Sequence, residues 1–202
     1  MDKKIEIPKL PELMFDETSH VYKLNGIEIP SVTTVMNLMS NAEYRDVSDK
    51  TLGAAAHRGT SVHNSIENWL KFGLYDLDPD LHGYMDGFLE WWEKDKPEMI
   101  GSEIRTYHRI LRYAGTVDLV ADIGGEITLV DFKTTYKVIE KNCRIQLEAY
   151  AQALASHGVY VQKKKILHMK KDGKWNIVEF PAKDGQAWGV FGSLKCVYDY
   201  MR

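Results

Sequence analysis

The spacing of apolar residues divides this chain into a strand-rich middle flanked by helices. Near the start, HVYKL and IEIP read as short strands joined by Asn25-Gly26, a pair that accepts the positive φ angles of a tight hairpin. Pro30 stops strand pairing, and Ser31 can cap a helix running to about Met39. Residues 41–57 are polar and show no clear period. Over residues 60–72, Val62, Ile66, Trp69 and Leu70 recur at helical spacing as one buried stripe, and Gly73 stands where a C-terminal cap belongs. Residues 79–94 read as another helix that buries some of Tyr84, Phe88, Trp91 and Trp92 and is ended by Pro97.

From Glu103 the pattern changes to strands, expected at residues 104–110, 116–123 and 127–133. A helix over 142–156 follows, with Leu147, Tyr150 and Leu154 on one face. Gly158 ends it, and a fourth strand is expected over 159–169. Lys171-Asp172-Gly173-Lys174 is a turn signal, with a short strand at 175–180 and a C-terminal helix over 184–202. The class is α/β: a βββαβ core with a mixed sheet flanked by helices. We expect one domain over 1–202, with a hairpin and helix extension at 1–57, a core at 58–180 and the last helix at 184–202.

The stretch over 116–133 carries the chemistry. Gly124-Gly125 is a strong hairpin turn, and a register centred there pairs Ile123 with Glu126 and sets Asp118 opposite Asp131. Opposed residues have Cβ atoms about 4.5–5.5 Å apart. Alternation puts Lys133 on the face of Asp131, and leaves Val117, Leu119, Val130 and Phe132 as an apolar face. Facing carboxylates repel, and a divalent cation offsets that repulsion. Oxygen ligands with open water positions suit Mg²⁺. Such a cation could offset phosphate charge and activate a water. Lys133 could then orient the water, help deprotonate it, or stabilise the developing charge.

Composition narrows the partners. The chain has 202 residues, 44% of them hydrophobic, enough for one domain with a core. Its net charge of −3 counts mildly against a nucleic-acid ligand, but the charge is unevenly spread. Residues 76–103 hold nine acids and two lysines, whereas residues 133–174 hold ten basic residues and three acids. That asymmetry can produce one anionic and one cationic side. No apolar run reaches the ~18 residues of a membrane span. MDKKIEIPKL has no apolar signal core, so a cytoplasmic location is expected. Cys143 and Cys196 fit free thiols in a reducing compartment, and two cysteines are too few for an iron–sulfur cluster. No Gly-x-x-x-x-Gly-Lys-Ser/Thr loop is present.

GTVDLVADIGGEITLVDFKTT resembles the catalytic core of PD-(D/E)XK nucleases, particularly the RecB-like branch, through Gly115, Asp118, Asp131 and Lys133. Two further signatures fall in order: His63 in GTSVHNSIENWL upstream, and Gln146 and Tyr150 in QLEAY downstream. PSVTTVMNLM resembles phage exonucleases and the mitochondrial genome maintenance exonuclease of the same superfamily. The likeness spans residues 58–156 and implies a restriction-endonuclease-like fold. It implies metal ligation by His63, Asp118, Asp131 and the Phe132 backbone carbonyl. Glu103 matches a family acid that can touch the metal or its water. Asp118, Asp131, Lys133, Gln146 and Tyr150 would form the catalytic machinery. Mg²⁺ is the expected cofactor, and an imidazole ligand makes Mn²⁺ a good substitute. Glu67 shares a helix face with His63 and is a weaker candidate. Thr134 and Thr135, with Lys163, Lys164, Lys165, Lys170 and Lys171, are candidate phosphate contacts.

The expected function is an exonuclease on linear DNA in recombination, repair or replication, of phage type. DNA is the partner, with a recombination or single-strand-binding protein as a further candidate. Three alternatives stay open: a structure-selective endonuclease, a non-catalytic DNA-binding or assembly module of the same fold, and a two-carboxylate glycosidase. The last leaves Lys133 and His63 without a role.

Overall fold

Two turns set the registers. Asn25 (φ 51°) and Gly26 (φ 79°) join β2 (Val21–Leu24) to β3 (Ile27–Ile29). Gly124 (φ 64°) and Gly125 (φ 86°) join β5 (Ala114–Ile123) to β6 (Glu126–Lys133), with Ile123 paired to Glu126 as the turn chemistry requires. The structure is a computed structural model that describes residues 5–43 and 47–202. Residues 44–46 of the patternless stretch, and residues 1–4 of the N-terminal segment read for a signal core, lie outside the described residues.

A strand not expected from the pattern, β1 (Leu13–Asp16), pairs antiparallel with β2. Four residues are too few to display a period. The Ser31 hydroxyl accepts the Thr34 amide at 2.9 Å and starts α1 (Val32–Glu43), which outruns the expected end at Met39. α2 (Asp49–Phe72) begins well before residue 60, where Ser48 accepts the Thr51 amide. The added turns contain Ala54, Ala55 and Ala56, good helix formers that make no amphipathic stripe. A 3-10 turn at Pro79–Leu81 leads into α3 (His82–Asp95). β4 (Glu98–Tyr107) starts earlier than expected, and β7 (Lys163–Met169) starts later. α4 (Glu140–Ala155), β8 (Trp175–Phe180) and α5 (Gly185–Tyr200) complete the chain. No described helix is long and apolar enough to cross a membrane.

The main sheet has the order β4-β5-β6-β7-β8. β6 and β7 are parallel and joined through α4, as a parallel pair requires, and the other neighbours are antiparallel. Helices cover both faces. Val120, Leu129 and Ile166 pack with Val32, Leu147, Leu154 and Phe191 from α1, α4 and α5. Leu119, Val130, Phe132 and Leu167 pack with Ile66, Phe88 and Trp91 from α2 and α3. The small sheet β1-β2-β3 closes one end, burying Tyr22, Leu24 and Ile29 with Tyr107 and Ala114.

One expectation is corrected here. Val117 and Leu119 do not share a face, since Val117 packs in the first core and Leu119 in the second. Alternation breaks at Asp118. The break has a partner on β4, where Glu103, between residues paired with Leu119 and Val117, adopts a φ of 48°.

α3 meets the β7–β8 turn backbone to backbone. A Cβ on Gly83 would lie 1.9 Å from the Lys171 carbonyl oxygen, and one on Gly87 3.1 Å from that of Gly173. Gly83→Ala should therefore push α3 off the sheet and destabilise the fold by about 1–3 kcal/mol, as overpacking does. Gly53→Ala, in α2 with nothing within 4 Å of the added Cβ, should be neutral or stabilising. Urea unfolding of the two variants checks the contrast.

Candidate active site

The site lies where β5 and β6 part. Their pairing runs from Ile123–Glu126 to Leu119–Val130 and ends there. Asp118 and Asp131 are next in the register but do not pair. Asp118 Oδ2 instead accepts the Phe132 amide at 2.7 Å, so a carboxylate takes the place of a ladder carbonyl. Groups from both faces of the sheet enter the gap. From α2, His63 Nδ1 stands 3.6 Å from Asp118 Oδ1, and its Nε2 donates to the Phe132 carbonyl at 3.0 Å. From α4, Gln146 Nε2 donates to Asp131 Oδ1 at 3.3 Å and to the Tyr150 hydroxyl at 3.2 Å.

Lys133 and Asp131 share one face, as alternation predicts. Lys133 Nζ donates to Gln146 Oε1 at 3.3 Å and lies 2.7 Å from Asp131 Oδ2. That approach is close but off line, which leaves Asp131 Oδ2 buried without a well-aligned donor. Gly115 has a steric reason to be glycine: an added Cβ would sit 2.5 Å from the Tyr150 ring.

One ligand atom each from His63, Glu103 and Asp118 lies within 4.8 Å of the others. These are an imidazole and two carboxylates, a donor set that fits a divalent cation. The Phe132 carbonyl and the poorly satisfied Asp131 oxygen flank them. Asp131 itself faces Lys133 and Gln146.

The charges are strongly coupled. Burial pushes the Asp118 carboxyl up, but His63, Lys133 and the Phe132 amide more than offset this and hold it below its ordinary value. Burial raises Asp131, and the Asp118 charge adds to it, with Lys133 opposing. Glu103 rises to about 7, through burial first and Asp118 second. Burial would lower His63, yet the charge and contact of Asp118, with help from Asp131, bring it to about 9. Lys133 is also held above its ordinary value, because Asp131 and Asp118 outweigh its burial. The protonated forms favoured at His63 and Lys133 thus offset the carboxylate charge beside them.

An open cleft of about 1130 Å³ exposes this centre, lined by His63, Glu103 and residues 132–135. Its far wall is the N-terminal sheet, with Phe15, His20 and Tyr22 beside Arg105. Tyr22 bonds Thr116 Oγ1 at 2.7 Å, and Arg105 donates to Glu17 at 2.8 Å. Sequence reasoning missed this wall, since no spacing signals a contact across some ninety residues.

The structure places the three expected phosphate contacts of β7 in ion pairs. Lys164 is fully buried and ion-paired with Glu148. Lys165 is buried and lies 3.1 Å from Glu179, and Lys163 pairs with Glu126 at 2.6 Å. All three sit opposite residues 128–130, away from the Lys133 end of β6. A run of lysines reads as solvated charge in sequence, but two members of this one, Lys164 and Lys165, are buried in the sheet. Thr134 is buried at the cleft, and the Thr135 hydroxyl donates to the Lys137 carbonyl. Glu67 lines the cleft paired with Lys71. Lys170 and Lys171 are exposed near the β7–β8 turn.

A mixed sheet flanked by helices, with Asp118, Asp131 and Lys133 on adjacent strands, is a restriction-endonuclease-like architecture. The family model for the PD-(D/E)XK nuclease superfamily matches residues 76–188, more than half of the chain, and the chain belongs to that superfamily. Among solved structures, the crystal structure of SSO0001 is similar at 15% identity and a TM-score of 0.49, covering 85% of this chain and 75% of that one. No curated protein matches the chain.

A cation entering among His63, Glu103 and Asp118 must displace protons held up to about 9 on His63 and about 7 on Glu103. Affinity for Mn²⁺ should therefore rise as pH increases through those two values and level off above them. Calorimetric titration of the metal-free protein at several pH values measures this. A flat profile would remove His63 and Glu103 from the cation's contacts.

Proposed function

We propose that this chain is a divalent-metal-dependent deoxyribonuclease that degrades linear DNA from its ends, of the RecB-like and phage exonuclease branch. Work in recombination, repair or replication in the cytoplasm fits that reading. The observation that carries it is the pocket of His63, Glu103 and Asp118 beside the Asp131–Lys133 pair, at the floor of an open cleft. The superfamily supplies the nuclease class. The exonuclease assignment rests on the likeness of PSVTTVMNLM and of the His63 and Gln146–Tyr150 motifs to that branch.

His63, Asp118, Glu103, Asp131 and the Phe132 carbonyl would hold the cation, Mg²⁺ by preference and Mn²⁺ as a substitute. When bound, it supplies Lewis-acid stabilisation of the phosphate charge and eases deprotonation of the attacking water. Asp131 and Asp118 favour the protonated form of Lys133, which suits a positive donor to the phosphate. Gln146 positions Lys133 and Asp131 together, and Tyr150 anchors Gln146.

With Mg²⁺ or Mn²⁺ the protein should consume linear DNA and leave covalently closed circles intact, and EDTA should stop it. Nicked or linearised circles would make it an endonuclease, and binding without cleavage would make it a non-catalytic module. Activity unaffected by EDTA would sink the metal mechanism.

Lys133→Ala should lower kcat by about 10²-fold or more, on the scale of losing one preorganised donor. DNA binding in Ca²⁺ should persist, because an ammonium donates only and ligates no metal. Asp118→Asn should cost more, since it weakens both the cation's seat and the acceptor of the Phe132 amide. His63→Ala should lower metal affinity and be partly rescued by excess Mn²⁺. Single-turnover cleavage beside equilibrium binding separates these effects.

A further inference from the structure

A second cleft reaches the active centre from the other side of Lys133. It encloses about 390 Å³ between α1, the start of α4 and the loop after β6. Lys133 and Thr135 line both clefts, so the two meet at the proposed catalytic ammonium. Their chemistry differs. The first cleft carries Glu17 and Glu67, paired with Arg105 and Lys71, and Glu103, with Asp118 at its floor. The second has no acid among its described lining residues. Met36, Leu52, Val138 and Ile139 give it mainly apolar walls, to which Lys133, Lys137, Thr33, Asn37 and Ser40 add cations, hydroxyls and an amide. A hollow with apolar walls, two cations and several hydroxyl and amide groups suits a nucleotide, and the carboxylates of the first side suit a cation.

The strip between the clefts carries a second feature. Tyr136 is fully exposed on the loop that follows Lys133. Its backbone is tied down on both sides: His168 Nε2 donates to the Thr135 carbonyl at 2.6 Å, and Thr135 Oγ1 donates to the Lys137 carbonyl at 3.1 Å. An aromatic ring with no packing role is thus presented to solvent from an anchored loop, outside both clefts, between Thr135, which lines both, and Lys137, which lines the second. A nucleobase is the flat partner that such a ring accepts when the neighbouring groups bind phosphate.

We propose that the second cleft seats the nucleotide on the far side of the scissile phosphate, with Lys137 contacting its phosphate and Tyr136 stacking on its base. The proposal rests on the nuclease reading and adds the form of the substrate. A base within a strand offers its face to Tyr136 only after leaving its duplex, so a strand that runs on past this position is unpaired where it crosses Lys133. Tyr136 and Lys137 are then positioning residues. They act on the strand's path, and the reaction itself is left to the first cleft.

The test uses the full chain in Ca²⁺ with a short single-stranded oligodeoxynucleotide carrying 2-aminopurine near its end, whose fluorescence falls on stacking. The wild type should quench the probe and bind it more tightly than the same sequence as a blunt duplex. Tyr136→Ala should lose the quench and weaken binding about tenfold, and Tyr136→Phe should keep both. Lys137→Ala should reduce the slope of log affinity against log salt by about 0.7, the value for one single-strand phosphate contact. In Mg²⁺ both alanine variants should raise KM and retain turnover at saturation. If the wild type cuts DNA while both alanine variants bind and quench as it does, the second-cleft proposal falls and the nuclease reading stands. Equal or tighter binding of the blunt duplex overturns the unpaired strand. A wild type that neither binds nor cuts DNA takes down both.

Discussion

The hydrogen bond from the Phe132 amide to Asp118 Oδ2 is the hinge of this structure. A central strand whose amide loses its ladder partner must find another acceptor, because an unpaired buried N–H is costly. Asp118 supplies that acceptor and lets β5 and β6 separate at a point where the sheet is otherwise closed on both faces. The gap admits His63 from one helical layer and Gln146 and Tyr150 from the other, beside Lys133 of β6. An unbroken ladder would leave these groups on opposite sides of a wall.

Opening the gap places buried carboxylates close together, and their charge must be met locally. In the protein by itself His63 and Lys133 meet it as cations. His63 donates from Nε2 to a carbonyl and faces a carboxylate with Nδ1, the arrangement that favours an imidazolium. The same contacts that stabilise the protonated ring are the ones a cation would take over. The positive φ of Glu103 is consistent with a strand bent to bring a further carboxylate to that position.

The surroundings divide the labour by charge. The three lysines of β7 belong to the fabric of the sheet: Lys164 lies in a fully buried pair with Glu148, and Lys163 and Lys165 answer single acids on neighbouring strands. Buried pairs of this kind stabilise weakly and are destabilising when one partner is lost. The exposed cations that remain near the centre, Lys137 among them, lie on the loop after β6 and along the cleft walls.

Local chemistry made much of this legible in advance. Gly124-Gly125 determines the β5–β6 register, and with it the adjacency of Asp118 and Asp131, because a two-residue turn leaves few alternatives. Period-two alternation places Lys133 beside Asp131, and helical spacing sets Gln146 one turn from Tyr150. The start of α2 was hidden because alanine-rich turns carry no stripe, and β1 because four residues show no period. Where the two strands part, which core Val117 joins, and which lysines are buried were decided by tertiary structure alone. So was the wall formed by Phe15, His20 and Tyr22. Sequence determines what each segment can do with its neighbours along the chain. The parallel pairing of β6 with β7 and the meeting of Tyr22 with Thr116 depend on packing between segments far apart, whose free energy is settled only when the whole sheet is covered.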